Sequence, residues 1–301
     1  MKRILITGAG SYIGTSVENY LRQYNAVRGE ECYRIDTVSM LDDGWKTYDF
    51  SGYDTIFHVA GIAHADVGNV SKETEELYYR VNCDLALETA SKAAAEGVGQ
   101  FIYMSSVIVY GQSFWGKRMH ITGETPLMPA NFYGDSKRKA EEALFTLESE
   151  TFRVAVLRPP MIYGPGCRGN YPLLSKMAGK LPVFPDICNE RSMLYIENLA
   201  EFVRRLADSG RGGVFFPQNR EYVSTSQLVN MIAKARGKKL YLWKILNPLV
   251  AIAARMPGKI GGIVKKAFGS MTIDLLLSRK DFDGYQVYSL EESIRKTEKG
   301  E

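Results

Sequence analysis

Tyr133 and Lys137 stand four residues apart in the run Tyr133-Gly134-Asp135-Ser136-Lys137, and Ser106 precedes them at the end of an apolar run. At the start of a helix, a tyrosine and a lysine at that spacing share one face and can touch one ligand. The three residue types suit the interconversion of an alcohol and a carbonyl, where a nascent alkoxide must receive a proton. A free phenol, with a pKa of about 10, is a reluctant partner near neutrality, and a nearby ammonium favours its phenolate. Lys137 is expected to supply that charge, and Ser106 to hydrogen-bond the carbonyl oxygen. The Tyr–Lys pair alone carries little, because 18 tyrosines and 19 lysines in 301 residues predict about one such spacing by chance. Position gives it weight. Residues 101–105 read as a strand ending in Ser105-Ser106, with Val109-Tyr110-Gly111 following, so three polar groups can meet at one sheet edge. The bland alternative makes Tyr133 a helix-edge aromatic, Lys137 a solvated charge and Ser106 a strand-end turn.

The elements that must position these groups begin at the N-terminus. Ile4-Leu5-Ile6-Thr7 is an apolar run that breaks into Gly8-Ala9-Gly10-Ser11 and reopens at Tyr12-Ile13-Gly14 as an amphipathic helix with Ile13, Val17, Tyr20 and Leu21 on one face. A buried parallel strand, a glycine turn and a helix start whose free N–H groups face a pyrophosphate make up a dinucleotide site. Ser11 stands where the middle glycine of Gly-x-x-Gly-x-x-Gly is usual, and can still donate to phosphate at a wider approach. Further apolar runs at 32–39, 55–60, 101–105, 154–158 and 213–216 alternate with helical patterns marked by Leu85, Thr89 and Ala93, and by Ala140, Ala143, Leu144 and Leu147. That alternation predicts a doubly wound α/β fold with a parallel sheet. After Pro159-Pro160 the regularity fades. A dinucleotide-binding domain is expected over 1–165, and a smaller C-terminal α/β lobe for the substrate over 166–301, with some segments returning to the sheet.

Composition excludes other classes. A net charge of +4 is mild, and no basic stretch alternates with aromatics, so no nucleic-acid partner is expected. Cys32, Cys83, Cys167 and Cys188 are scattered without metal-ligand spacing, which reads as free thiols in a reducing compartment and no metal. Lys2 and Arg3 stand only a few residues before the glycines, and no apolar run reaches a bilayer's thickness. A cytoplasmic protein is expected.

Taken together these residues resemble the short-chain dehydrogenase/reductase family, in its extended branch of nucleotide-sugar epimerases, dehydratases and reductases. The resemblance spans nearly the whole chain and is weakest over 237–275. It implies a dinucleotide held by Gly8, Ser11, Tyr12, Ile13 and Gly14, with Asp49 and Phe50 against its adenine. Ala60 and Gly61 of Phe57-His58-Val59-Ala60-Gly61 line the same groove, Lys137 and Tyr133 stand at its nicotinamide end, and Pro159 lies beside them in Arg158-Pro159-Pro160-Met161-Ile162-Tyr163-Gly164. Asn82 matches a structural asparagine. In Arg191-Ser192-Met193-Leu194-Tyr195-Ile196-Glu197-Asn198 the arginine is implied to grip a sugar-nucleotide diphosphate, as a planar guanidinium can do in a bidentate way; Asn198 departs from the usual aspartate. More narrowly, Asn170-Tyr171-Pro172 and Leu181-Pro182-Val183-Phe184-Pro185 look like bacterial 4-keto reductases of surface-polysaccharide pathways, with Asn170 and Phe184 along the nucleotide, or else a loop residue and a core residue.

The choice between NAD and NADP is open at this stage. A carboxylate at the end of the second strand would bind the ribose hydroxyls and exclude a 2′-phosphate. A strand ending at Asp36 means NAD; one running through Val38 puts Ser39 at the end, where nothing repels NADP. Residues 240–268 combine Leu242, Trp243, Ile245, Leu249 and Ile252 with Lys244, Arg255, Lys265 and Lys266, which suits a flap on the substrate lobe, a dimer contact or a weak membrane-surface contact. Pro248 and Pro257 interrupt any long helix there. The expected function is reduction of a UDP-4-keto-6-deoxy-HexNAc, with a UDP-hexose 4-epimerase holding tightly bound NAD and a dinucleotide-sensing protein without catalysis as the alternatives. A homodimer is expected.

Overall fold

Six parallel strands form the central sheet in the computed structural model, which describes residues 1–63 and 70–300. They are Lys2–Thr7 (β1), Tyr33–Val38 (β2), Thr55–His58 (β3), Gln100–Met104 (β4), Arg153–Leu157 (β5) and Gly213–Phe215 (β6), in the spatial order β6-β5-β4-β3-β1-β2. Ile4, Leu5 and Ile6 are all fully buried, because a parallel sheet covered on both faces needs a continuous apolar run rather than an alternating one. The same rule explains why the runs read from the sequence coincide with the strands and miss only by a residue or two at their ends. The order reverses beside β1, with β2 on one side and β3 on the other. Ligands of open α/β sheets bind beyond the carboxyl ends of the strands at such a reversal.

Tyr12–Arg28 (α1) follows β1 and buries Gly14, Val17 and Leu21. Phe132–Phe145 (α2) is capped by Asn131, whose Oδ1 accepts from the Gly134 N–H at 3.0 Å, and buries Lys137, Ala140, Glu141 and Leu144. Ile196–Ser209 (α3) packs against α1, where Tyr20 donates to Glu201 at 3.0 Å. Both α3 and β6 lie beyond residue 165, yet one apolar core runs from Ile4 and Ile6 through Leu199 and Val203 to Ile294. The C-terminal half therefore supplies part of the sheet's own cover.

Three short parallel pairs build the remainder: Met161–Tyr163 with Met193–Tyr195, Val183–Pro185 with Tyr241–Trp243, and Arg118–Ile121 with Ser270–Ile273. Between the last two pairs lie Asn247–Arg255 (α4) and Gly258–Ala267 (α5), packed on each other. Pro257 separates them as the N-cap of α5, but Pro248 opens α4 instead of interrupting it, because a first-turn N–H needs no intrahelical partner. No described helix is long and apolar enough to cross a membrane.

Candidate active site

Residues that follow β1, β3, β4 and β5 line a cavity of about 710 Å³, within the usual range for small-molecule sites. Gly10, Ser11, Tyr12 and Ile13 come from the β1–α1 turn. There Gly8 and Gly10 take positive φ values of 110° and 74°, which only glycine adopts at little cost. Ser11 has an extended φ of −72° and caps α1, its Oγ accepting from the Gly14 N–H at 3.2 Å. A serine thus suits the third turn position better than a glycine here, since it fixes the helix start and keeps its own proton free to donate. Gly14 lets α1 approach the sheet: a Cβ there would lie 3.1 Å from Val59 and 3.2 Å from Ile6.

The question of the second strand is answered by register. β2 runs through Val38, whose carbonyl accepts from Gly8 and Ala9, so Ser39 stands at the carboxyl end beside the glycine turn. Asp36 lies two residues back, opposite Leu5, and accepts a hydrogen bond from Tyr53 at 2.9 Å.

Ser106, Tyr133 and Lys137 all line the cavity. The Ser106 hydroxyl acts on the Tyr133 phenol to lower its pKa, and its Oγ accepts from the Ile108 N–H at 3.3 Å. Tyr78 braces the phenol edge-on, with ring centroids 5.9 Å apart. Lys137 is only 5% exposed; its Nζ donates to the Met104 carbonyl at 2.9 Å and sits 4.6 Å from the Tyr103 ring. Burial pushes Tyr133 up to about 12, opposed by the neighbouring Ser106 hydroxyl. Burial likewise pulls Lys137 down to about 7, against the neighbouring Glu141. The Lys137 amine is turned to a carbonyl and an aromatic face.

Glu141, one turn beyond Lys137, escaped the sequence reading. Its carboxylate accepts from Arg158 Nε at 3.2 and 3.1 Å and from Nη2 at 2.5 Å, and takes a further hydrogen bond from Ser105. The spacing of four from Lys137, on a face otherwise made of Ala140 and Leu144, was the available signal.

The same cavity is also lined by Arg168, Asn170, Arg191 and Lys266. Arg191 bridges Val223 and Met271 through its backbone, and its Nη1 donates to the carbonyls of Lys266 and Ala267, each at 3.0 Å. Among the described residues its Nε and Nη2 donors have no partner. Among the described residues no aspartate or glutamate lines the cavity, whereas four basic side chains do: Lys137, Arg168, Arg191 and Lys266. Tyr12 Oη is also buried without a hydrogen-bond partner. An acid-free wall, a helix start with unsatisfied N–H groups and an orphaned hydroxyl fit a polyanionic dinucleotide.

Several implied contacts fall elsewhere. Phe184 is buried in the core, tilted against Phe268 at 6.0 Å, and does not line the cavity. Phe50 is fully buried with its N–H donated to Glu96, and the exposed Asp49 accepts from the Ser51 N–H, so neither faces the cavity. Ala60 backs the glycine turn, its N–H donated to Thr7, while Val59 and Gly61 beside it do line the cavity, as does Pro159. Asn82 holds the Ile62 backbone through both amide atoms and Ser136 through Nδ2.

Residues 4–215 match the model of the NAD dependent epimerase/dehydratase family. A UDP-glucose 4-epimerase from Vibrio cholerae is 27% identical over an alignment covering 98% of this chain and 94% of the relative. An N-acetyl-alpha-D-glucosaminyl-diphospho-ditrans,octacis-undecaprenol 4-epimerase from Escherichia coli O157:H7 is 27% identical, covering 95% of this chain and 88% of the relative. The fold is also that of the UDP-glucuronic acid 4-epimerase from Bacillus cereus, solved in complex with NAD, with a TM-score of 0.72 at 17% identity over 99% of this chain and 96% of that one.

Proposed function

Because the chain belongs to the NAD dependent epimerase/dehydratase family, we propose that it inverts C4 of a diphosphate-linked sugar such as a UDP-hexose, with NAD or NADP as cofactor. One observation carries the reading. Tyr133 and Ser106 line the same cavity as Arg168, Arg191 and Lys266, and no aspartate or glutamate among the described residues lines it. A sugar hydroxyl can meet Tyr133 while its diphosphate meets the cations, and the two full-length relatives named as 4-epimerases support C4 as the reacting carbon.

Ser11, Tyr12, Ile13, Gly61, Lys137 and Pro159 are the residues that would hold the dinucleotide, which supplies the hydride acceptor and donor when bound. The chain's own part is proton management. Oxidation at C4 requires the Tyr133 oxygen, as phenolate, to take the C4 hydroxyl proton as the hydride leaves, and the reduction that follows returns that proton from the phenol; burial, which raises its pKa, favours the donor form. Ser106 favours the phenolate form, so one oxygen accepts and returns the same proton. Arg191, tied by Nη1 to two carbonyls, lines the cavity with its remaining donors available to a diphosphate.

A second reading, reduction of a UDP-4-keto-6-deoxy-HexNAc, is favoured by Ser39. No carboxylate at the end of β2 holds the ribose hydroxyls or excludes a 2′-phosphate, which suits an enzyme that exchanges its dinucleotide. Incubating the purified protein with UDP-glucose or UDP-GlcNAc and no added cofactor, followed by proton NMR, separates the two. The C4 epimer is the expected product. Absence of epimer, with stoichiometric NADH or NADPH consumption on the 4-keto substrate, would replace epimerisation by reduction.

A further inference from the structure

Sixteen large apolar side chains are exposed among the described residues, and seven of them crowd into residues 241–263. Leu249 and Ile252, three residues apart, share one face of α4, with Ile245 in the turn before the helix and Met256 just past its end. All four face solvent. Ile245 is 79% exposed, Leu249 61% and Ile252 60%, while Ala254 is the residue α4 buries. An ordinary amphipathic helix does the reverse. Trp243 and Tyr241, also exposed, add aromatic rings of the kind that settle at membrane–water boundaries.

Charge identifies the occupant. From 222 to 273 the chain carries nine lysines and arginines and no aspartate or glutamate. Lys244, Arg255, Lys265 and Lys266 are exposed around the apolar stripe. Apolar residues mixed with unopposed cations match an anionic lipid surface, where burial of the stripe and attraction to headgroups act together. The patch is also continuous with the site: Lys266 at the end of α5 lines the cavity, and Arg191 holds that helix end by two carbonyls.

We propose that α4 and α5 with the strand before them dock on an anionic bilayer, and that the cavity takes diphosphate-linked sugars carried by a lipid at that surface. The substrate half rests on the C4 reading above; the docking half does not. The full-length protein should co-sediment with phosphatidylcholine vesicles containing phosphatidylglycerol and not with phosphatidylcholine alone, and binding should weaken with salt. Lys244→Glu with Arg255→Glu should weaken it roughly 30-fold, and Leu249→Ser with Ile252→Ser roughly tenfold or more. The blue shift of tryptophan fluorescence on binding should vanish in Trp243→Phe. With undecaprenyl-diphospho-GlcNAc in such vesicles, the serine variant should lose turnover in proportion, while its turnover of soluble UDP-GlcNAc stays at the wild-type rate. No binding to anionic vesicles at low salt, or a wild-type dimer that the serine variant dissociates, would overturn the docking. Vesicle binding with turnover of UDP-GlcNAc alone would overturn the lipid-borne substrate. Vesicle binding with turnover of neither would leave the docking in place and remove the C4 reading.

Discussion

Lys137 occupies a place no solvated lysine would. Burial lowers its folded-state pKa from the ordinary 10.5 to about 7. Below about pH 7 folded and unfolded chains both carry the proton, and the fold bears the full cost of the buried charge. Between the two values the unfolded chain holds a proton that the folded chain has released, so stability rises with pH. Lys137→Met should therefore stabilise the ligand-free protein most at about pH 6 and progressively less towards about pH 9 in urea titrations. A difference that stays constant over that interval would mean another group titrates. Arg191→Ala should raise KM for the sugar diphosphate by one to two decades, the equivalent of about 1.5–3 kcal/mol for a charge-assisted contact, and leave dinucleotide affinity unchanged. Equal loss of both ligands would make Arg191 a structural residue. Tyr133, Lys137, Ser106 and Arg191 were legible because polar residues at a strand end or helix start have few other tasks. Phe184 and Phe50 were not. An aromatic beside a turn looks the same whether it covers a ligand or fills the core, and only packing against Phe268, or burial under Glu96, decides.

Elements were legible in proportion to their length. The strands β1 to β5 announce themselves as unbroken apolar runs, and α1 as a periodic face behind glycines. The three- and four-residue strands paired outside the central sheet carry no period to read. Neither does a single buried ion pair joining two elements. Glu141 on α2 and Arg158 at the end of β5 are 2% and 10% exposed at their side chains, and Tyr110 takes a further Nη1 donor at 2.6 Å. This pair fixes the helix that carries Tyr133 to the strand that leads into Pro159. Glu141→Ala strands a buried guanidinium, which should cost about 3–5 kcal/mol and lower the urea midpoint with little change in slope. A loss within the range of a surface substitution, about 0.5 kcal/mol, would show that water reaches the site and screens the pair.

At the scale of the whole molecule, the doubly wound sheet follows from strand–helix alternation, and the later segments expected to return to it from beyond residue 165 are two elements. Gly213–Phe215 returns to pair with β5, and α3 returns to cover α1. Late segments close an early sheet, and that pairing across the chain leaves no local mark in composition. The same closure brings Arg191, Lys266 and Met271 into the lining of the cavity that Tyr133 and Ser106 also line, where Tyr133 is the proposed proton donor. The account stands or falls on that donor. Tyr133→Phe removes one hydroxyl and should leave the dinucleotide dissociation constant unchanged, while kcat for C4 inversion falls roughly a hundredfold or more, the scale of general acid–base catalysis. Turnover near the wild-type rate in a correctly folded Tyr133→Phe protein would contradict it.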